Sequence, residues 1–467
     1  MADNVVHIPA QRRAKVMVVV GTRAQAIACA PVVRALREGA ARFHPIVVSA
    51  GLHRDRFVPT LHDLGMECDI DLSLPGDMDD GQFHLLAGNA VLRFGLVVSR
   101  LRPDIVLVQG DSTTALAVAL TAFHNNVPVA HIDAGPHGEH AGTLSPEEGN
   151  RRCIAAVASL HFAATEEARA ALLHEGVDDA RIAVTGATVA ESLHRFTEAG
   201  HTDGPAPEDG WHDNVTAVSA ARIAPNAERT VPAAAPPRRV PDIRPVSLRK
   251  VPKRAPDAAD VAAMPVPAPS ALARPRPARP LPQEHTVLVS LHGLHANPQA
   301  LKDICAAVRE LALARRDTGF LVPMGRHRPL RDAAIPLLGA VPNVHLMPVP
   351  PLPEFVACLR AARLVLTDAA DLQEQAAALG VPVLAVRATP QLPDAVRAGR
   401  ARLVGTDKAA ILRETAALLD DAAHHAAMAA ACAVPGDDHA SRRITLALDR
   451  FMTGLAPLLP PHAEFRA

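Results

Sequence analysis

Ile105-Val106-Leu107-Val108-Gln109-Gly110-Asp111-Ser112-Thr113-Thr114 decides the fold, because an apolar run typical of a buried strand ends there in a glycine and an acidic residue. A second apolar run, 127–132, leads into Asp133-Ala134-Gly135, and Pro146-Glu147-Glu148-Gly149-Asn150-Arg151 opens a helix-like segment downstream. In a parallel α/β sheet, the residue after a strand lies at the carboxyl edge, where ligands bind. Acidic side chains delivered to one edge favour acid–base chemistry on a bound substrate.

Strand-like and helix-like segments alternate along most of the chain. Alternation at these lengths predicts βαβ units and parallel sheets. The predicted strands are 15–20, 45–49, 104–108, 127–132, 286–290, 319–323, 344–347, 364–367 and 381–386. The predicted helices are 26–38, 82–101, 113–124, 147–159, 300–315, 353–362 and 371–379. The fold class is therefore α/β, with two Rossmann-like doubly wound domains.

Between these two domains lies a stretch of different composition. Residues 200–284 hold 17 of the chain's 42 prolines and many arginines. Sparse apolar patterning and frequent proline predict a long disordered basic insertion. A solvated insertion without a specific role is the favoured interpretation, and a basic tether for an acidic partner or nucleic acid is the alternative.

The predicted division of the chain follows from these patterns. It comprises a flexible N-terminus 1–14, an N-terminal Rossmann-like domain 15–185, the start of the C-terminal domain 186–199, the insertion 200–284, the C-terminal Rossmann-like domain 285–455 and a tail 456–467. A homodimer is a hypothesis that the sequence leaves open.

Composition excludes several classes of protein. A net charge of −1 and a pI near 7.1 argue against a nucleic-acid partner for the whole molecule. The six cysteines form no C-x-x-C pair, which indicates buried thiols in a reducing cytosol rather than disulfides or a zinc site. No apolar run reaches the length of about eighteen residues that a membrane span needs. The sequence thus predicts a cytoplasmic protein.

Cofactor motifs are also missing from the sequence. Gly21-Thr22-Arg23-Ala24-Gln25 is not the G-x-G-x-x-G of dinucleotide binding, so NAD is not expected. A metal site built from His131, Asp133, His137, Glu139 and His140 is a weaker hypothesis, because these residues lack the fixed spacing of a metal motif. We expect neither a metal nor another cofactor.

Several segments together resemble the non-hydrolysing UDP-N-acetylglucosamine 2-epimerases. The resemblance covers nearly all of residues 15–198 and 285–452. It rests on Gly21-Thr22-Arg23, the Gly110-Asp111 loop, Asp133-Ala134-Gly135, Pro146–Arg151, Val184–Val189, Leu366-Thr367-Asp368, Leu372-Gln373-Glu374, Leu379–Leu384 and Leu403–Asp407. It implies a GT-B fold, in which two domains face a cleft and the second holds most of the nucleotide.

The resemblance also implies an activity. These isomerases serve cell-surface polysaccharide biosynthesis by inverting carbon 2 of a UDP-N-acetylhexosamine. They eliminate UDP to a glycal and then add it back. The residues carried over as catalytic are Asp111, Asp133, Glu147 and His292. Those carried over as substrate-binding are Arg23, Glu148, Arg151, Gln373, Glu374 and Gln375, with Arg151 and Glu148 supporting the carboxylates.

This chain departs from the family pattern at positions that hold the nucleotide. The family's diphosphate cradle, Ser-Gly-Gly, is Ala369-Ala370-Asp371, and the glutamate that grips the ribose is Gln375. Near the N-terminus, Ala24, Gln25 and Ala28 replace proline, glutamate and lysine. Asp133 replaces a glutamate, and Gly293-Leu294 replaces two arginines. Two alternatives to an active epimerase therefore stay open: a catalytically impaired scaffold or sensor, and an epimerase with a changed nucleotide-sugar substrate.

Overall fold

The computed structural model describes residues 12–51, 54–74, 83–135, 146–198, 286–291, 298–325, 328–388, 390, 392–432 and 437–466. The predicted insertion 200–284 and most of the N-terminal segment 1–14 lie outside the described residues. The same holds for the candidate residue His292, and for His137, Glu139 and His140 of the metal hypothesis.

The first lobe contains a seven-stranded parallel sheet. The strand order is β3-β2-β1-β4-β5-β6-β7. Its strands are β1 (Ala14–Val20), β2 (Phe43–Ser49), β3 (Ile70–Asp71), β4 (Ile105–Gln109), β5 (Val129–Ala134), β6 (Leu160–Ala163) and β7 (Ile182–Val184). Its helices are α1 (Arg23–Glu38), α2 (Arg54–Asp63), α3 (Phe83–Leu101), α4 (Thr113–His124), α5 (Pro146–Val157), α6 (Glu166–His174) and α7 (Thr188–Glu198).

The second lobe contains a six-stranded parallel sheet with the order β10-β9-β8-β11-β12-β13. Its strands are β8 (Thr286–Ser290), β9 (Gly319–Met324), β10 (Val344–Pro348), β11 (Leu364–Thr367), β12 (Val383–Ala385) and β13 (Ala401–Leu403). Its helices are α8 (Pro298–Ala314), α9 (Arg328–Leu338), α10 (Leu352–Ala361), α11 (Ala370–Ala378), α12 (Pro393–Arg397), α13 (Lys408–Asp420), α14 (Ala422–Cys432) and α15 (Ala440–Met452).

Both sheets are doubly wound, which confirms the predicted fold class. In each sheet the strand order reverses once, between β1 and β4 in the first lobe and between β8 and β11 in the second. Such reversal points open a crevice at the carboxyl ends of the strands, where α/β proteins bind ligands. Asp111 lies two residues after the end of β4, so it is at the reversal point of the first sheet.

Apolar side chains on both faces of the strands form the cores. The faces of the first sheet are covered separately, one by α1 and its neighbours and the other by α3 and α4. Two elements from late in the chain join the first core: α15 with Ile444 and Leu448, and α10 with Leu352 and Val356. Packing between the lobes thus restrains the cleft between the two sheets.

Some element bounds differ from the sequence predictions for local reasons. Helix α1 begins at Arg23, three residues early, because Thr22 caps it. Strand β5 continues to Ala134 through a register shift against β6, whereas the sequence pattern ended the strand at Ile132.

The thiols are less uniformly buried than the cysteine pattern indicated. Cys29, Cys305 and Cys432 are buried, whereas Cys68 and Cys358 are half-buried and Cys153 is exposed. All six are free thiols. Within the part of the chain that the structure describes, no helix combines the length and apolar character that crossing a membrane requires.

Candidate active site

The turn between β1 and α1 forms one wall of the cleft. The Thr22 hydroxyl accepts a hydrogen bond from the Gln25 backbone N–H at 3.2 Å, and the Gln25 side chain reaches back to the Thr22 backbone, so the pair forms a capping box. Gln25 is buried, with 5% of its surface exposed. Its amide also bonds to the Gln109 carbonyl and the Ser112 hydroxyl, both at 3.0 Å. The turn is therefore fastened to the loop that carries Asp111.

The Asp111 loop leaves β4 through Gly110, whose φ of +69° is one that glycine adopts without strain. An aspartate in this position could act merely as the cap of α4. The structure assigns that cap to Ser112 instead, whose hydroxyl accepts from the Ala115 N–H at 3.1 Å. Asp111 therefore lines the cleft without capping the helix.

Asp133 is held in an unusual backbone conformation. Its φ is +56°, which is uncommon for a residue with a side chain, and the register of β5 against β6 shifts at this point. The Gln109 side-chain amide donates to its carboxylate at 2.7 Å. Strained residues of this kind concentrate at functional sites. Strands β4 and β5 are neighbours, so Asp111 and Asp133 share one edge of the sheet.

Helix α5 contributes Glu147 and Glu148 to the cleft from its first turn. Behind them, the Arg151 guanidinium is 1% exposed and clamped between Glu148, at 2.7 and 2.9 Å, and Glu175, at 2.6 and 3.0 Å. Burial alone would raise the pKa of Glu148, but its bonds to Arg151 and Arg152 outweigh burial and hold that pKa below its usual value. Arg151 thus anchors the helix that presents Glu147.

The second lobe adds carboxylates through α11. Asp371, Glu374 and Gln375 line the same cleft, whereas Gln373 points into the protein and is 2% exposed. Burial raises the pKa of Glu374 well above its ordinary value, and the nearby carboxylates of Asp133, Asp371 and Asp111 raise it further. The negative charges of carboxyl groups from both lobes therefore repel each other across one cleft.

Positive charge in the cleft comes from Arg387, the only arginine or lysine among its described lining residues. Its guanidinium donates to the Asp368 carbonyl at 2.7 Å. Burial lowers the pKa of Arg387, and the charges of Asp368 and Glu147 oppose that effect. The opposite charges of Arg387 and Glu147, one from each lobe, therefore attract each other.

Arg23 is not among the described lining residues of the cleft, although its neighbours Thr22 and Ala24 are. Its guanidinium donates to the Pro350 carbonyl at 3.3 Å and lies 4.6 Å from the centre of the Phe355 ring. These are contacts between the lobes, of the kind that cations make with aromatic faces. The nucleotide-binding role that the family resemblance assigns to Arg23 stays a prediction.

The structure brings most of the predicted site residues together. Asp111, Asp133, Glu147, Glu148, Glu374 and Gln375 all line the cleft. Arg23 and Arg151 make other contacts, Gln373 is buried away from the cleft lining, and His292 lies outside the described residues. Sequence reasoning missed Gln109, although its position as the last residue of β4 places it at the same edge. Among the described residues, no group of three or more His, Cys, Asp or Glu side chains is arranged to hold a metal ion.

Two histidines lie side by side behind the cleft. His131 on β5 pairs in register with His161 on β6, and both are fully buried. Burial, reinforced by the charge of Arg181, lowers the pKa of His161 to about 4 from an ordinary value of 6.5. The folded protein therefore keeps this imidazole neutral at pH values where the unfolded chain protonates it.

We expect this histidine to make folding sensitive to mild acid. Between pH 6.5 and 4 the unfolded chain protonates this histidine, whereas the folded protein does not. The free energy of unfolding is therefore highest above that window and falls as the pH drops through it. By pH 5 the loss is about 2 kcal/mol. Urea unfolding of the His161→Leu variant at pH 7.5 and 5 should show a pH dependence smaller by this amount. The control His174→Leu, at an exposed position, should keep the full dependence; equal dependence in both variants would contradict the assignment.

Comparisons with known proteins agree with this architecture. The sequence model of the family described as UDP-N-acetylglucosamine 2-epimerase matches residues 34–220 and 260–449. A probable UDP-N-acetylglucosamine 2-epimerase from Ralstonia solanacearum is 32% identical over 440 residues, covering 94% of this chain and 99% of that protein. The UDP-N-acetylglucosamine 2-epimerase of Escherichia coli (strain K12) is 31% identical over 437 residues, covering 93% and 98%.

Solved structures give the same result. The crystal structure of UDP-GlcNAc 2-epimerase from Neisseria meningitidis, bound to UDP-GlcNAc, superposes with a TM-score of 0.72 at 26% identity and covers 93% of this chain and all of that one. A putative UDP-N-acetylglucosamine 2-epimerase from Listeria monocytogenes gives 0.71 at 26% identity, covering 96% and 98%. The fold is thus that of the GT-B epimerases, and the chain belongs to the UDP-N-acetylglucosamine 2-epimerase family.

Proposed function

We propose that this chain is an isomerase that inverts carbon 2 of a UDP-N-acetylhexosamine, such as UDP-N-acetylglucosamine. The observation that carries the proposal is the set of carboxyl groups from both lobes around one cleft, where burial and the neighbouring carboxylates raise the pKa of Glu374. Family membership supports the same activity, and the Neisseria relative was solved with UDP-GlcNAc bound.

The proposed reaction has two balanced steps. In the first, a carboxylate takes the proton from carbon 2 while the bond between carbon 1 and the UDP oxygen breaks, so that UDP leaves with the electron pair and a glycal double bond forms. In the second, a carboxyl group gives a proton to the opposite face of carbon 2, and the UDP oxygen bonds to carbon 1 again. The site therefore needs a charged carboxylate and a protonated one at the same time.

The electrostatics of the cleft meet this need. Glu374 faces Asp133, Asp371 and Asp111, and its raised pKa favours the protonated form. Asp133, in contrast, accepts a hydrogen bond from the Gln109 side-chain amide at 2.7 Å. Pairs of carboxyl groups whose environments differ in this way can divide the roles of acid and base. We assign proton transfer to Asp111, Asp133 and Glu147, with Glu374 as a proton reservoir.

The diphosphate of the substrate requires a cation. Arg387 is the group we propose for this contact, because it is half-buried on the cleft wall and carries a permanent charge. Each charge-assisted hydrogen bond to a phosphate contributes roughly 1.5–3 kcal/mol.

One residue, Asp371, favours an alternative to epimerisation of UDP-N-acetylglucosamine. Asp371 lies in the first turn of α11, where the helix dipole attracts an anion, and its own carboxylate supplies one. The Asp371 carboxylate therefore competes with a diphosphate for the N-terminal end of α11. A cleft that binds a different nucleotide sugar, or that no longer turns over substrate, would be consistent with that arrangement.

Proton exchange at carbon 2 distinguishes these functions. UDP-N-acetylglucosamine is incubated with the protein in deuterated water, and the carbon-2 proton signal is followed by NMR. We expect the signal to disappear and a second sugar diastereomer to appear. Titration calorimetry with UDP serves as the companion measurement. A folded protein that binds UDP without exchange would indicate a changed sugar substrate, and one that does neither would indicate a non-catalytic protein.

Location and assembly form the remaining part of the proposal. We propose that the protein acts in the cytoplasm, which agrees with its six free thiols. Homodimer formation and an acidic partner for residues 200–284 stay hypotheses, and that segment lies outside the described residues. Light scattering of the purified chain tests the dimer.

A further inference from the structure

Asp133 lies where the regular pairing of β5 with its neighbouring strands is interrupted. The pairing of β4 with β5 ends at Gln109 and Ile132, one residue before Asp133. On the other side, the pairing of β5 with β6 passes from Ile132 to Ala134 and skips Asp133, whose φ is +56°. Side-chain contacts, and not strand pairing, therefore have to fix the direction of this carboxylate.

Gln109 makes such a contact from the neighbouring strand. Its Nε2 donates to Oδ2 of Asp133 at 2.7 Å, which is at the short end of the range for an N–H···O bond. The oxygens of a carboxylate accept hydrogen bonds and do not donate them, so the nitrogen end of the Gln109 amide faces Asp133. Because this bond fixes Oδ2, it also sets the direction in which the other oxygen of Asp133 points.

The backbone that carries the Gln109 side chain is firmly held. Gln109 ends β4, a strand that pairs with β1 on one side and β5 on the other, and only 9% of its surface is exposed. Its carbonyl accepts from the Gln25 side chain at 3.0 Å, and the next N–H, of Gly110, donates to the Ile132 carbonyl at 3.2 Å. A side chain on such a support can hold a carboxylate in one position.

We propose that Gln109 is the positioning residue of Asp133, whose carboxylate it directs for proton transfer at carbon 2 of the sugar. The inference rests on the proposed function, because Gln109 would act through one of the proposed proton-transfer residues. Both side chains line the cleft. The charge of Asp133 also raises the pKa of Glu374, so a displaced Asp133 would alter its interaction with the second lobe as well.

The variant Gln109→Met keeps the length of the side chain and removes the donor. We expect its kcat to fall about tenfold to a hundredfold with KM little changed, because a misplaced carboxylate slows proton transfer without weakening substrate binding. Gln109→Glu keeps the shape but has no N–H as a carboxylate, so it should lose at least as much. A raised KM with unchanged kcat in both variants would make Gln109 a substrate contact and overturn the proposal.

Combination with Asp133→Asn shows whether Gln109 acts through Asp133. Asparagine tolerates the positive φ of this position but cannot take a proton at neutral pH. Once residue 133 transfers no proton, its exact position matters little. Adding Gln109→Met to Asp133→Asn should therefore change the rate of carbon-2 proton exchange by less than about twofold. Two losses that multiply in full would show that Gln109 acts independently of Asp133, which contradicts the inference.

A matched control lies on the exposed side of α8. The Gln299 amide donates to the Asp303 carboxylate at 2.9 Å, outside the lining of the cleft. Gln299→Met thus removes the same kind of hydrogen bond at the surface, and it should match the wild type in both kcat and KM.

Crystal structures of the wild type and Gln109→Met separate this inference from the proposed function. In the variant, Oδ2 of Asp133 should move by about 1 Å or more, a displacement large enough to account for the expected loss of kcat. A carboxylate that stays in place would refute the positioning role of Gln109. A wild type that exchanges no carbon-2 proton, together with the expected displacement in the variant, would refute the proposed function alone.

Discussion

Replacing Asp111 by asparagine should lower kcat for epimerisation by about a hundredfold to ten-thousandfold, the range that general acid–base catalysis contributes. Asparagine keeps the size and polarity of aspartate but cannot take or return a proton at neutral pH. The loss should appear in carbon-2 proton exchange as well as in net turnover, because both need the same proton transfer. NMR in deuterated water measures the two rates in one experiment.

The fold should survive this substitution, for a reason visible in the loop. The cap of α4 is the Ser112 hydroxyl, and the Asp111 contact with Asn150 is made by the backbone carbonyl, which asparagine also has. The affinity for UDP should not weaken, since one negative charge is removed from a cleft that already holds several.

A matched control is available at another helix start. Asp407 caps α13 by accepting from the Ala410 N–H at 2.9 Å, outside the lining of the cleft, and asparagine caps equally well. Asp407→Asn should therefore keep full activity. If Asp111→Asn exchanges the carbon-2 proton at the wild-type rate, Asp111 has no part in proton transfer, and Asp133 and Glu147 become the candidates.

The sequence predicted this part of the site because the information there is local. Asp111 follows an apolar run and a glycine, and a parallel sheet places the ends of its strands at one edge. The early start of α1 also had a local signal, since Thr22 and Gln25 form the T-x-x-Q pattern of a capping box. The strained backbone of Asp133 had none, because a register shift depends on the neighbouring strand.

Long-range partners could not be predicted from the chain. Helix α15 packs on the first lobe although it comes after the second lobe in the chain. The periodicity of its sequence predicts an apolar face but not which part of the protein packs against that face. Gln25 similarly bonds to residues 84 and 87 positions away. An arginine near carboxylates poses the same difficulty, because the sequence cannot distinguish a ligand contact from an ion pair with a distant glutamate.

Arg151 shows that difficulty most clearly. The family resemblance assigns it to substrate binding, whereas in the structure four hydrogen bonds join its guanidinium to Glu148 and Glu175. Glu175 ends α6, so the pair fastens α5 to the next helix. Burial alone would lower the pKa of Arg151, but its bonds to the two glutamates outweigh that effect and raise it.

Replacing Arg151 by methionine should therefore act on stability first. The change leaves the buried Glu148 carboxylate without its main partner, and breaking one side of a buried ion pair costs about 3–5 kcal/mol. Urea unfolding measures this loss directly. Arg151→Lys should fall between the variant and the wild type, because lysine restores the charge but cannot form two parallel bonds to each glutamate.

The neighbouring arginine provides the control. Arg152 is 48% exposed and also contacts Glu148, at 2.8 Å, so Arg152→Met removes a cation from the same carboxylate at the surface. Its cost should stay below about 1 kcal/mol. An Arg151→Met protein as stable as the wild type, with its affinity for UDP lost, would place Arg151 among the ligand contacts. Its role as the anchor of α5 would then be wrong, and Glu147 would owe its position to another residue.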